Sequence, residues 1–131
     1  MQSVPFEPEM NVFIVEDSAS IRERLAAMLG DIEGVHVVGE AETAGEAIEG
    51  ILRTRPDSVV LDIHLIGGSG LDVLRQAHPQ TPDTVFIVLT NYPNPQYRRV
   101  CMEAGAAYFF DKSSEMAKVR EVIAGLGATR H

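Results

Sequence analysis

Five short apolar runs recur along the chain, and a segment with helical periodicity follows each of them. The runs have the character of strands that are covered on both faces of a sheet. The segments between them repeat apolar residues at helical spacing, as Ile21, Leu25 and Leu29 do after the first run. We predict strands at 12–15, 36–41, 59–61, 85–89 and 107–110.

Strands that alternate with helices in one small domain predict a parallel sheet with helices on both faces. The predicted fold class is therefore α/β, with five strands and five helices. A chain of 131 residues suits one domain with a sizeable core. We expect an irregular lead-in at 1–10, the folded domain at 11–126 and a frayed tail at 127–131.

Charge and cysteine content limit the partners. Acidic residues outnumber basic ones, 19 to 11, and the formal net charge is −8. Direct binding of nucleic acid or of an anionic membrane is therefore not expected, because both attract basic surfaces. Cys101 has no second cysteine to pair with, and no apolar run approaches the ~20 residues that span a bilayer. With no signal peptide evident at the start, we expect a cytoplasmic protein.

Polar side chains follow four of the predicted strands at the point where each strand ends. The carboxyl ends of parallel strands open at one edge of the sheet, where α/β folds bind their ligands. Carboxylates gathered there repel one another, and Mg²⁺ relieves this because it prefers oxygen ligands. The set suits an aspartate that takes up a phosphoryl group with metal assistance. Its members are Glu16, Asp17, Asp62, Thr90 and Lys112.

These residues stand in the contexts Val-Val-Leu-Asp62, Ile-Val-Leu-Thr90 and Phe-Phe-Asp-Lys112. In order and spacing the chain resembles the receiver domain of two-component response regulators, over roughly 11–126, and in particular the stand-alone receivers like the chemotaxis regulator. The resemblance implies a doubly wound, flavodoxin-like sheet of strand order 2-1-3-4-5. That fold agrees with the one predicted from the apolar pattern.

The resemblance also implies roles for the acidic residues. Asp62 would be the phosphoacceptor. Asp17 and Asp62 would bind Mg²⁺ directly, with the backbone carbonyl of His64 as the third protein ligand. Glu16 would hold the metal through a water molecule.

Three further residues would complete the site and its switch. Lys112 would pair with Asp62 and then with the phosphoryl group. Thr90 would donate its hydroxyl to a phosphoryl oxygen and draw its loop inward, and Phe109 occupies the position of the aromatic switch residue. His64 and Tyr92 are expected to line the route of the water that hydrolyses the phosphoryl-aspartate.

The predicted function is that of a single-domain response regulator in a two-component phosphorelay. A sensor histidine kinase or a phosphotransfer protein would supply the phosphoryl group. The chain would catalyse only its own phosphorylation and dephosphorylation, so it is not expected to be an enzyme with an external substrate. Output would pass to a downstream protein at the face of helix 4, strand 5 and helix 5, and a homodimer is one such assembly.

Three alternatives remain open. The segment Phe-Phe-Asp-Lys-Ser-Ser resembles receivers that precede a helix-turn-helix domain, so the chain could be part of a transcription factor. A phosphatase of the haloacid-dehalogenase type also uses an aspartate and Mg²⁺, but it needs an acid two residues later, where His64 stands. A receiver that never binds phosphate is disfavoured, because all five site residues are present.

The chain departs from the common receiver pattern at three places. Leu65 and Ile66 replace the frequent Met-Pro pair after the acceptor. Asn91 replaces a small residue after the switch threonine, and Ser113 replaces the proline that often follows the lysine. None of these changes removes a site group, so they bear on loop geometry and kinetics.

Overall fold

The computed structural model describes residues 9–128, which form one parallel five-stranded sheet flanked by helices. The strands are β1 (Met10–Val15), β2 (Val35–Ala41), β3 (Ser58–Leu61), β4 (Val85–Thr90) and β5 (Ala106–Asp111). The helices are α1 (Ala19–Gly30), α2 (Ala44–Thr54), α3 (Gly70–Ala77), α4 (Pro95–Glu103) and α5 (Met116–Ala128).

The strand order is β2-β1-β3-β4-β5, and every adjacent pair is parallel. This is the doubly wound order that the family resemblance implied, and the fold prediction is confirmed. The order reverses between β1 and β3, so the chain leaves these neighbouring strands toward opposite faces of the sheet. A crevice opens at such a point, beyond the carboxyl ends of the strands.

Each face of the sheet has its own apolar core. Side chains alternate along a strand, so Val59 and Leu61 of β3 face one core while Val60 faces the other. The first core lies against α2, α3 and α4, and the second lies against α1 and α5. Because β3 is covered on both sides, its sequence is a continuous apolar run rather than an alternating one.

The glycine-rich segment at 67–70, whose composition is typical of a flexible loop, is part of a short hairpin. His64–Leu65 pairs antiparallel with Gly68–Ser69, and Gly67 turns between them at φ 70°, a backbone conformation that favours glycine. Gly70 then begins α3 with its Cα against the Asp62 carbonyl, where a Cβ would collide with that oxygen. The segment therefore packs against the backbone of Asp62, the residue that follows β3.

The ends of the domain differ slightly from the expected ones. Strand β1 begins at Met10, inside the predicted lead-in, and α5 continues to Ala128, into the predicted tail. The rest of the lead-in and tail lies outside the described residues, apart from Glu9. Between residues 9 and 128, no helix is long and apolar enough to cross a membrane.

Candidate functional site

The carboxyl edge of the sheet holds a buried cluster of charged side chains. Glu16, Asp62 and Lys112 are 1%, 5% and 7% exposed. The Lys112 ammonium donates to both acids, with Nζ 2.7 Å from Glu16 Oε1 and 2.9 Å from Asp62 Oδ2. The structure thus brings together three residues that lie far apart in the sequence.

Backbone pairing fixes where these side chains start. The Glu16 N–H donates to the Ala41 carbonyl of β2 at 2.9 Å, and the Asp62 N–H donates to the Val15 carbonyl of β1 at 3.0 Å. The Lys112 N–H donates to the Thr90 carbonyl at 2.8 Å. Each residue follows its strand in register with a neighbouring strand, so the sheet itself aligns the site.

Three carboxylates share this pocket. One oxygen each from Glu16, Asp17 and Asp62 lies within 4.8 Å of the others. The Ser18 N–H donates to Glu16 Oε2 at 3.0 Å, and the His64 N–H donates to Asp62 Oδ1 at 3.2 Å. The Lys112 ammonium offsets one of three negative charges, and the oxygen-only donor set fits a hard divalent cation.

Burial and pairing change the acidity of two of these groups. Burial raises the pKa of the Glu16 carboxyl, and hydrogen bonds from Lys112 and the Ser18 N–H offset this only in part. For Lys112, burial alone would lower the pKa, but its bonds to Glu16 and Asp62 prevail and raise it. Lys112 therefore stays charged near neutral pH. For Glu16, the hydrogen bonds do not fully offset the cost of burying the ionised carboxylate.

The two predicted switch residues are buried beside the pocket. Thr90 is fully buried, and its Oγ1 accepts a hydrogen bond from the Tyr92 N–H at 3.0 Å. Phe109 is 7% exposed and belongs to the core that also contains Val88. The structure thus places both residues at the carboxyl end of the sheet, on neighbouring strands.

Three aromatic rings, one after β3 and two after β4, lie together. The ring centroids of His64 and Tyr92 are 4.3 Å apart, and the edge contact of His64 with Tyr97 spans 5.8 Å. Tyr92 is 56% exposed, so this cluster is accessible from solvent. His64 and Tyr92 thus lie together, and Tyr97 is an addition that the sequence did not predict. That His64 and Tyr92 line the route of the hydrolytic water stays a prediction.

Side-chain hydrogen bonds hold the loop that carries Lys112. Asp111 Oδ1 accepts from the N–H of Ser113 at 2.9 Å and from its hydroxyl at 2.8 Å, and Glu115 Oε1 accepts from the Asp111 N–H at 2.9 Å. The bonds from Ser113 lower the pKa of Asp111, and the bond from the Asp111 N–H lowers the pKa of Glu115. The serine at the usual proline position is thus part of the loop's own hydrogen-bond network.

Sequence reasoning missed one residue that contacts this site. Arg22, on the first turn of α1, donates from Nη1 to the Glu16 carbonyl at 2.8 Å. A signal existed in the sequence: an arginine near a helix start is unfavourable for the helix dipole unless acids lie near it. The acids are Glu40 and Glu42, which only the folded sheet brings close.

Comparison with known proteins identifies the family. The model of the response regulator receiver domain matches residues 12–124. The chain belongs to this family, as its resemblance predicted. Receiver domains bind Mg²⁺ at an acidic pocket, and in this chain Glu16, Asp17 and Asp62 form that pocket.

Two curated relatives are named as regulators of transcription. The chain is 33% identical over 119 residues to the uncharacterized transcriptional regulatory protein YhcZ of Bacillus subtilis. It is 31% identical over 121 residues to the DNA-binding transcriptional activator DevR/DosR of Mycobacterium tuberculosis. The matches cover 88% and 92% of this chain but 56% of each relative, so the chain spans about half the length of these proteins.

Solved structures share the fold. A LuxR-family two-component response regulator from Aurantimonas superposes with a TM-score of 0.84 at 28% identity, covering 94% of this chain and 88% of that one. The isolated receiver domain of RcsB from Salmonella enterica, solved with a phosphomimetic, gives a TM-score of 0.83 at 23% identity over 92% of this chain and 90% of that one. The second likeness supports the fold alone.

Proposed function

We propose that the chain accepts a phosphoryl group on Asp62, in a Mg²⁺-dependent reaction, from a sensor histidine kinase or a phosphotransfer protein. The observation that carries this proposal is the position of the Asp62 carboxylate. It lies at the end of the central strand β3, 2.9 Å from a charged lysine and beside two further acids. This position combines a nucleophilic oxygen with the charges that phosphoryl transfer requires.

The chain's own residues supply most of the chemistry. An Asp62 oxygen attacks phosphorus, the new O–P bond forms, and the N–P bond of phosphohistidine breaks, with its electron pair returning to the imidazole. Lys112 already contacts Asp62 and can follow the negative charge onto the phosphoryl oxygens. A bound Mg²⁺ ion would neutralise charge between the acids and the incoming phosphoryl group.

The same pocket suggests how the ion is held. Asp17 and Asp62 are the proposed direct ligands, and the His64 backbone carbonyl is the proposed third. Glu16 would act through water, and its carboxylate oxygens accept hydrogen bonds from Lys112 and the Ser18 N–H. The fit of the pocket to a cation supports these roles, which follow from the family resemblance.

Thr90 and Phe109 are the proposed switch. Thr90 Oγ1 accepts from Tyr92 N–H, so its own proton remains available for a phosphoryl oxygen. If Thr90 moved toward Asp62, the bond to Tyr92 would have to change, and with it the start of the β4–α4 loop. Such a coupling of a new charge to a loop is the general form of a phosphorylation switch.

Output is proposed to pass through the face of α4, β5 and α5, to a downstream protein or to a second copy of the chain. The acidic net charge argues against direct nucleic-acid binding by this domain. A second output is favoured by the relatives: the chain matches about half of proteins named as transcriptional regulators. In that case the domain is the receiver part of a helix-turn-helix transcription factor.

A phosphatase acting on other molecules is the less favoured proposal. Such an enzyme needs an acid two residues after its nucleophile, and His64 stands there, with its backbone N–H directed at Asp62. We therefore propose that catalysis is limited to phosphorylation and dephosphorylation of the chain itself. A cytoplasmic location is also proposed, because the phosphorelays that sensor kinases feed act in the cytoplasm.

The proposed function is tested by intact-mass spectrometry after incubation with acetyl phosphate. We expect the mass of one phosphoryl group to be added with Mg²⁺ and not with excess EDTA. Asp17→Asn should slow the reaction strongly, whereas Asp31→Asn, an exposed acid at the end of α1, should match the parent. Phosphoryl transfer from an autophosphorylated histidine kinase extends the test to the partner. An unchanged mass with both donors would refute the proposal.

A further inference from the structure

Arg22 occupies an unusual place for a cation. It lies in the first turn of α1, where the helix dipole disfavours positive charge, and no acid of that turn offsets it. Its side chain is 19% exposed. Burying most of an arginine side chain at the positive end of a helix requires compensating contacts, and the compensation comes from outside the helix.

The first compensating contact is with the backbone of the acidic pocket. Arg22 Nη1 lies 2.8 Å from the carbonyl oxygen of Glu16. That carbonyl belongs to the peptide bond that leads directly into Asp17. Because the N–H of Glu16 is fixed by Ala41 at 2.9 Å, Arg22 holds the other end of the same residue. Rotation of this peptide plane would move the Asp17 backbone, so the contact with Arg22 helps to fix the position of the Asp17 backbone.

The second compensating contact is with strand β2. Arg22 Nε lies 3.2 Å from Glu40 Oε1, and Nη1 lies 3.7 Å from Glu42 Oε2. The guanidinium is therefore held by acids at the end of β2 while it donates to the loop after β1. A planar guanidinium with five N–H donors can serve these partners together, which a lysine ammonium does less well.

We propose that Arg22 is a positioning residue for the Mg²⁺ pocket, an inference that rests on the proposed function. It touches neither the ion nor the phosphoryl group. It fixes the peptide between Glu16 and Asp17, and so presents two of the three carboxylates at the spacing that one cation needs. Loss of partners that orient metal ligands typically weakens metal affinity by about 10- to 100-fold.

A purely structural role makes a different prediction. An ion pair at the surface contributes at most about 1 kcal/mol to folding and leaves a distant ligand site unchanged. In that case Arg22 variants would melt at a slightly lower temperature but bind Mg²⁺ as the parent does. Metal affinity measured on fully folded protein therefore separates the two roles.

The experiment is isothermal titration of Mg²⁺ into the parent, Arg22→Ala, Arg22→Lys and Glu40→Gln, at a temperature where circular dichroism shows each to be folded. Arg24→Ala, an exposed arginine of the same helix, is the matched control. We expect Arg22→Ala to weaken binding roughly 10-fold or more, Arg22→Lys and Glu40→Gln to weaken it less, and Arg24→Ala to leave it unchanged.

The outcomes distinguish this inference from the function on which it rests. Parent affinity in Arg22→Ala would overturn the positioning role while leaving the proposed function intact. Absence of Mg²⁺ binding in the parent itself would overturn the proposed function. If Arg22→Ala does not fold, the test passes to Arg22→Lys and Glu40→Gln, and parent affinity in both overturns the inference.

Discussion

The two ends of strand β3 carry the same residue type in opposite settings. Asp57 precedes the strand and is half-buried, and its Oδ2 accepts a hydrogen bond from the Asn11 N–H at 2.7 Å. Asp62 follows the strand, is 5% exposed and shares Lys112 with Glu16. The first aspartate completes backbone pairing at the start of β1, whereas the second joins a cluster with more acid than base. The contrast separates a carboxylate that serves the fold from one suited to a ligand.

Two buried threonines at the amino edge extend the contrast. At the amino edge, buried Thr84 donates to the Pro56 carbonyl at 2.7 Å and Thr81 donates to the Ala77 carbonyl at 3.0 Å. These polar groups are satisfied by the chain itself. At the carboxyl edge, an added cation would improve the charge balance. Variants at the two edges should therefore differ in their response to Mg²⁺ and in phosphorylation.

The largest expected effect on stability comes from Lys112→Met. Removing the ammonium leaves Glu16 and Asp62 buried without their cation, and breaking a buried pair in this way costs about 3 kcal/mol or more. Urea denaturation should show this loss, and added Mg²⁺ should recover part of it by replacing the missing charge. The control is Lys118→Met, whose exposed pair with Glu115 is worth less than about 1 kcal/mol. Equal losses in the two variants would contradict the account.

The next effect compares two buried threonines, one at each edge. Thr84→Val should lower the free energy of unfolding by about 1–2 kcal/mol, because the buried Pro56 carbonyl loses its donor. It should leave phosphorylation unchanged. Thr90→Val should still be phosphorylated, but the NMR shifts that phosphorylation produces in α4 and β5 should be lost. A full switch response in Thr90→Val would show that its hydroxyl is not needed.

The smallest effect concerns the pH dependence of Glu16. Burial raises its pKa above the ordinary value of 4.5, so the folded chain binds the proton more tightly than the unfolded chain does. The ionised group therefore opposes folding at neutral pH, and this penalty fades as the pH falls toward 4.5. In Mg²⁺-free buffer, Glu16→Gln should be more stable than the parent at pH 7. The gain should shrink as the pH falls, and a gain independent of pH would be inconsistent with this origin.

Strand periodicity predicted a parallel α/β sheet, strand-end chemistry predicted the members of the pocket, and the family resemblance supplied the strand order. Residues such as Asp62 and Lys112 could be placed because parallel strands must open at one edge, whatever the loops do. Contacts that depend on loop conformation could not be placed in this way. The Arg22 bond to a carbonyl and the approach of Gly70 to Asp62 involve backbone atoms, and side-chain pattern does not show which backbone atom a residue will contact.

The turn at 67–70 is a second example of a loop conformation that the sequence pattern does not predict. Two consecutive glycines and a serine suggest a flexible loop by composition, yet Gly67 supplies a required left-handed turn and Ser69 caps α3 through the Asp72 N–H. The ordered hairpin follows from these positions only when the neighbouring strand is known. The roles assigned to individual site residues remain predictions until they are tested by substitution.

The most direct test of the central claim is the phosphoryl mass gained by two variants of the same strand. Asp57→Asn and Asp62→Asn change the same atoms at opposite ends of β3, and both are to be treated with acetyl phosphate and Mg²⁺. The account predicts that Asp57→Asn gains one phosphoryl group as the parent does and that Asp62→Asn gains none. Equal incorporation in both variants would contradict the assignment of Asp62 as the acceptor.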